Sequence, residues 1–356
     1  MRRITKGIIT GLLTAALAAG LVGCTGPSGS EKDTVVTEAD SEVAENGAEA
    51  LATDTINEDE ALPEEGQEEP QQEQAPAEVT FTDALGREVT VSDPMRVAVL
   101  LGSFCDVWYL AGGEAVATVK DTWTSFDLDL PEDTVNVGSF LDPDLEQLIA
   151  SEPDFVIASA GNDAQKEMLD TLESTGITTA YFDVQSFDDY LAMLDICTQI
   201  TGKRENYEKY GTDVAAQIEE AKKRVGDSHP TVLFIRAAAS SVKAKGSEGT
   251  VGGEILADIG CINIADSDGS LLEDLSLEAI IAADPEYIFV TTQGDDTEAA
   301  LANVEELLKS NPAWASLSAV QSGNYYEIDK SLYNSKPNAR WGEAYEQLID
   351  IIYPEG

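Results

Sequence analysis

A chain of 356 residues with 43% hydrophobic content can bury the cores of one large or two ordinary domains. Its 67 acidic residues against 21 basic ones leave a net charge of −46, which excludes nucleic acid as a partner because its phosphates would be repelled. With one histidine, no Gly-x-Ser-x-Gly elbow and no Gly-Lys-[Ser/Thr] loop, neither triad hydrolysis nor phosphate handling has its residues, and an enzyme is not expected.

The first 23 residues read as an export signal. Arg2, Arg3 and Lys6 form a positive start, and Ile8 to Leu21 is an apolar run too short for a comfortable membrane span. Leu21-Val22-Gly23-Cys24 resembles the lipobox of bacterial lipoproteins. That resemblance implies cleavage before Cys24 and a lipid on its thiol, anchoring an extracytoplasmic protein to the outer face of the cytoplasmic membrane. Residues 24–78 are expected to be a disordered acidic tether: from Glu31 to Glu78 there is one base, Lys32, and no aromatic residue to bury. Past Cys24 the remaining cysteines are Cys105, Cys197 and Cys261, an odd number that cannot all pair, and they are expected to be buried small apolar residues.

Folding should begin at Val79. Thr80 to Val91 alternates around a glycine-containing turn and predicts a hairpin. A buried strand over Arg96 to Leu101 leads into a short helix that stops at Gly112-Gly113, and strands are predicted at Ala115 to Val119, Thr134 to Val137, Phe155 to Ser159 and Thr179 to Val184, with a helix over Asp163 to Thr175. This alternation makes residues 79–185 an α/β lobe with a parallel sheet. Ser186 can cap a helical segment running to about Gly226, with Gly202 as its breaker, so residues 186–228 read as a rigid linking helix. Residues 229–356 form the second lobe: a strand at Thr231 to Ile235, a glycine-punctuated loop from Gly246 to Gly253 that opens a helix ending at Gly260, a helix over Glu298 to Ser310, a strand at Tyr325 to Ile328 and a closing helix over Trp341 to Ile352.

One unit is written twice. Leu145-Glu146-Gln147-Leu148-Ile149-Ala150-Ser151-Glu152-Pro153 and its strand Phe155 to Ser159 reappear as Leu277-Glu278-Ala279-Ile280-Ile281-Ala282-Ala283-Asp284-Pro285 and Tyr287 to Thr291. In both copies a helical pattern is stopped by an acid-Pro pair and resumes as a short apolar run. Two like-built lobes follow, and because ligands of open α/β sheets bind beyond the carboxyl ends of the strands, the segments after Ser159 and Thr291 should face a shared cleft.

These residues resemble the substrate-binding lipoproteins of ABC importers for iron complexes, haem and cobalamin, whose two Rossmann-like lobes are joined by one long helix. The resemblance runs from Val79 to the C-terminus and is carried by Asp83-Ala84-Leu85-Gly86-Arg87, the repeated unit, Gly260-Cys261-Ile262-Asn263-Ile264, Asn311-Pro312-Ala313-Trp314 and Lys336-Pro337-Asn338-Ala339-Arg340-Trp341. It implies a class III periplasmic-binding-protein fold and a monomer that carries a metal chelate to a permease dimer, with Glu146 and Glu278 as the docking glutamates. Phe140 stands where cobalamin binders carry a cleft tryptophan, and Leu272 stands where the second would be.

The cleft chemistry follows from what is scarce. One histidine cannot make a bare-metal cluster, and His229 before Pro230 reads as a surface turn residue. Arg236 ends a strand where the cleft should lie, with Lys243 and Lys245 behind it, and a guanidinium can hold chelate oxygens bidentately. Phe104, Trp123, Phe140, Asn162, Arg236, Lys245 and Tyr333 are the expected ligand-binding residues, with no catalytic residue, no resident metal and no cofactor. The expected cargo is a ferric chelate of siderophore type, with haem or a cobamide as the alternative, and a tethered sensor or adhesion lipoprotein as the reading from another class.

Overall fold

The computed structural model describes residues 78–354 apart from 127, 268, 274 and 295. The signal, Cys24 and the tether lie outside the described residues.

The chain enters through the antiparallel hairpin β1 (Glu78–Thr82) and β2 (Glu88–Ser92), whose buried face carries Val79, Val89 and Val91 at period two. Its turn is tied to the lobe. The Asp83 carboxylate accepts the Leu85 and Arg87 backbone N–H groups and pairs with the Arg87 guanidinium at 2.6 Å, while Arg87 also donates to the Thr179 carbonyl. The Asp-Ala-Leu-Gly-Arg run is therefore a structural staple.

The first lobe is a parallel sheet of β3 (Val97–Val99), β4 (Ala115–Thr118), β5 (Val135–Asn136), β8 (Phe155–Ser159) and β9 (Thr178–Phe182) in the order β5-β4-β3-β8-β9, with a small hairpin of β6 (Gly138–Ser139) and β7 (Asp142–Pro143) at its rim. The second lobe has its own sheet, β10 (Thr231–Ala238), β11 (Ser241–Lys245), β12 (Ile262–Asn263), β13 (Tyr287–Thr292) and β14 (Tyr325–Glu327), ordered β11-β10-β13-β14 with β12 also on β10. Central strands are buried on both faces, as helix-covered parallel sheets require.

The written repeat is a structural repeat. Helices Leu145–Ala150 and Leu277–Ala283 lead into β8 and β13, each the neighbour of its lobe's first parallel strand. The acid before each proline, Glu152 at φ 49° and Asp284 at φ 42°, takes the left-handed conformation. Proline disfavours the right-handed region for the residue before it, so the helix is turned off at the same place in both copies. Asp284 then anchors the turn by accepting from the Ser318 backbone N–H at 2.7 Å and its hydroxyl at 2.6 Å.

The linking segment is helical but in two pieces. Helix Phe187–Thr201 opens with a capping box from Ser186 and Asp189 and ends at Gly202, whose φ of 71° a side chain would resist. Helix Arg204–Tyr207, a π-helical stretch Glu208–Thr212 and helix Asp213–Lys222 complete it. Val214, Ile218 and Ala221 of the last piece share a core with Ala344, Leu348 and Ile349 of helix Trp341–Ile352, which ties the link to the second lobe. Cys105, Cys197 and Cys261 are free and buried, and burial pushes the Cys105 thiol up to about 12, which makes it inert to alkylation in the folded state.

Candidate functional site

The carboxyl ends of β3, β8, β9, β10 and β13 all point to one interlobe cleft. It consists of two adjoining chambers of 260 and 490 Å³ that share Leu101, Phe140, Arg236 and Lys336. Ser159, Asn162 and Gln185 from the first lobe and Gly249 from the second line the larger chamber; Phe126, Gln293, Lys330 and Asn334 line the smaller.

Arg236 lies near the end of β10, between Lys243 on β11 and Thr291 on β13. It is half-buried, and among the described residues its side chain has neither a hydrogen bond nor an ion pair. Burial lowers its affinity for a proton, so an unpaired, partly dehydrated guanidinium faces the cleft of a strongly acidic protein. Lys336 joins it there from the second lobe and reaches across to the first, donating to Gln185 Oε1 at 3.0 Å. Burial, chiefly, pulls the Lys336 ammonium down to about 8; Asp183 and Asp189 resist the shift and Arg236 adds to it.

Lys336 was absent from the sequence expectation although its motif was legible. Pro337 and Asn338 make a left-handed turn (Asn338 φ 51°), and the buried Asn338 amide donates to the Ser103 carbonyl at 2.8 Å and to Asp106 at 2.7 Å. That clamp holds the lobes together beside Lys336. Burial raises the Asp106 carboxyl, and the Asn338 bond offsets part of the rise.

The first-lobe wall is held by Gln165, also missed. Its buried amide donates to the carbonyls of Leu100 and Phe140 at 2.8 Å, and its carbonyl oxygen accepts the Ser159 N–H at 2.8 Å. Asn162 caps helix Asp163–Glu167 and also donates to the Phe140 carbonyl. Gln165→Leu should destabilise the protein by about 2 kcal/mol in urea unfolding, because the Leu100 carbonyl and the Ser159 N–H lose this partner while the Phe140 carbonyl keeps Asn162, and should loosen Phe140 in the cleft.

Of the expected ligand-binding residues, Phe104, Phe140, Asn162 and Arg236 meet in the cleft. Tyr333 does not: it is 1% exposed, and its hydroxyl donates to the Ala344 carbonyl at 3.0 Å inside the second-lobe core. Trp123 is 41% exposed on helix Asp121–Ser125 and outside the chamber walls; Phe126 takes that place, held over Gly102, where a Cβ would meet Phe126 at 3.0 Å and Asp121 at 2.6 Å. Lys245 stands opposite Phe234, off the walls but close enough to Arg236 to depress its own proton affinity, burial being the larger cause. Its charge adds to the field of the cleft without lining it. His229 is exposed and touches the Gly260 carbonyl at 2.9 Å.

Glu146 and Glu278 occupy the same position in the first turn of their helices, behind the caps Asp144 and Ser276. Both are exposed, and neither has an ion pair or side-chain hydrogen bond among the described residues.

The family described as periplasmic binding protein matches residues 97–332. The chain belongs to this family. It is 24% identical over 260 residues to the Fe(3+)-citrate-binding protein YfmC of Bacillus subtilis, covering 70% of this chain and 78% of that one. Solved structures share the fold: the periplasmic heme-binding protein RhuT of Roseiflexus at TM-score 0.59 and 23% identity (72% and 97% of the two chains), and Staphylococcus aureus SirA complexed with staphyloferrin B at 0.57 and 24% (77% and 97%). Membership makes the chain a binding protein.

Proposed function

We propose that this protein captures an anionic ferric chelate in the interlobe cleft and delivers it to an ABC import permease while tethered to the membrane through Cys24. The unpaired Arg236 guanidinium carries this reading. An arginine dehydrated without a partner, in a chain with 67 acids to choose from, is held for an anion that is not part of the protein. Lys336 beside it sets the sign, and Phe104, Phe126 and Phe140 supply apolar cover for a chelate's flank. The named walls of both chambers hold no His, Cys, Met or Tyr, so they suit a metal whose coordination the chelator already fills better than a haem that needs an axial ligand. YfmC, named for ferric citrate, supports the same class.

Titration of the chain with ferric citrate, hemin and cyanocobalamin, followed by tryptophan fluorescence, tests the reading. Saturable binding of the ferric chelate with at least tenfold preference is expected; saturation by hemin or the corrinoid alone would overturn it. Docking has its own measurement. Glu146→Lys with Glu278→Lys should cut radiolabelled iron uptake by more than tenfold with ligand affinity unchanged, since equivalent anchors on two lobes suit a two-fold partner; undiminished uptake would remove both from the docking face.

A further inference from the structure

Charge is divided unevenly between the two chambers of the cleft. Arg236 and Lys336 are common to both; the larger chamber sets Asp163 and Asp183 against them, whereas the smaller adds a third base, Lys330, against one acid, Asp121. That acid accepts the Gly102 N–H at 3.0 Å. We propose that the smaller chamber is a subsite for carboxylate arms of the cargo that do not coordinate iron, and that Lys330 selects them, an assignment that rests on the reading of the cleft as a ferric-chelate site.

Lys330 is half-buried at the start of helix Lys330–Tyr333. Its ammonium donates to the Gly294 carbonyl at 2.8 Å and has no ion pair among the described residues. An ammonium carries three N–H donors, so this bond fixes the group on the chamber wall and leaves two for a ligand. Asp329 beside it in sequence is occupied as the helix cap, its carboxylate accepting the Ser331 N–H at 2.8 Å. Main-chain bonds set the other two bases from the same place. Gln293, next to Gly294, donates its N–H to the Ala237 carbonyl at 2.7 Å, beside Arg236, and the Ser335 N–H, beside Lys336, donates to the Lys330 carbonyl at 2.8 Å. Three like charges are therefore held around one chamber before any ligand arrives, and a guest bearing more than one negative charge offsets their repulsion.

Size and chemistry name the arm. At 260 Å³ the smaller chamber falls below the roughly 300 Å³ at which pockets for whole small molecules begin, and the larger, at 490 Å³, lies above it. The smaller one therefore takes part of a guest whose body fills the larger. Catecholate and hydroxamate oxygens are used up in binding the metal, whereas a polycarboxylate such as citrate keeps carboxylates that do not touch it. Charge localised on two oxygens suits a point-charge ammonium with the amides of Gln293 and Asn334 on the same walls.

The test titrates the full chain and its Lys330→Met and Lys330→Arg variants with ferric citrate, iron-free citrate and sodium sulfate at equal ionic strength, read by calorimetry and tryptophan fluorescence. The parent should bind iron-free citrate in the millimolar range or tighter, and sulfate several-fold more weakly. Lys330→Met should weaken ferric citrate about tenfold or more and iron-free citrate about fivefold or more, while Lys330→Arg, which keeps the charge, should stay within about threefold of the parent for both. The urea midpoint of unliganded Lys330→Met should not fall. Sulfate binding as tightly as iron-free citrate, ferric-citrate affinity unchanged in Lys330→Met, or a lowered midpoint with binding lost in Lys330→Arg as well, overturns the subsite and leaves the cleft reading standing. Failure of the parent to bind ferric citrate overturns that reading, and the subsite with it.

Discussion

Arg236→Ala should weaken ferric-citrate binding ten- to a hundredfold, about 1.5–3 kcal/mol, because hydrogen bonds to a charged group are worth that much where water is excluded. Arg236→Lys should fall between the two, since it keeps the charge and loses the planar fork that can hold two oxygens at once. Stability separates this role from a structural one. Arg236 has no partner to lose among the described residues, and its charge stands near those of Lys245 and Lys336, which it depresses. Removing it should therefore leave the urea midpoint of the unliganded protein unchanged or raise it. A clear fall in that midpoint, with binding retained, would make Arg236 a scaffold residue and take the central support from the ferric-chelate reading.

The architecture was legible because its signals are local and doubled. Acid-proline pairs at Glu152-Pro153 and Asp284-Pro285 stop two helices by one mechanism, and the runs that follow are too apolar to be anything but buried strands. Arg236 was legible as a base at the end of such a strand. Phe104, Phe140 and Asn162 were legible beside it, but Phe126, Lys336 and Gln165 were not, and Trp123 and Tyr333 were misplaced because of the length of the elements that carry them. Trp123 and Tyr333 sit on helices of five and four residues, too short for periodicity to tell one face from another. Tyr333 turned inward and Phe126, just past the end of its helix, turned toward the cleft. Lys336 looks in sequence like any lysine before a proline; only the left-handed turn at Asn338, fixed by contacts to Ser103 and Asp106 in the other lobe, aims it inward. Gln165 reads as an ordinary polar residue in a helix, and its three bonds to the cleft wall depend on chain segments far away in sequence. The break at Gly202 was visible, and the π-helical stretch after it was not read, although Gly211 lies within it.

Ligand affinity should be flat near pH 7 and fall above about pH 8, by up to tenfold per unit, as Lys336 loses its proton. In the unliganded cleft burial holds this ammonium down to about 8, with Arg236 pushing the same way and Asp183 and Asp189 opposing. A bound anion favours the charged form, so binding draws a proton in once the free protein has begun to lose it, and affinity declines until the pH passes the raised value in the complex. Stability runs the other way. Between about 8 and the ordinary lysine value of 10.5 the unfolded chain binds the proton and the folded one does not, so this group's cost to the fold, at most about 3 kcal/mol at neutral pH, is removed as pH rises through that window. Lys336→Met should therefore do three things together: lower affinity at pH 7, flatten its fall above pH 8, and raise the unfolding free energy at pH 7. The same titrations on this variant cancel any pH dependence of the chelate itself. If Lys336→Met binds as tightly as the parent and keeps its alkaline decline, the titrating group lies elsewhere. Were all three changes seen, the cleft would be shown to hold, at the expense of its own stability, a charge whose counterion arrives with the cargo.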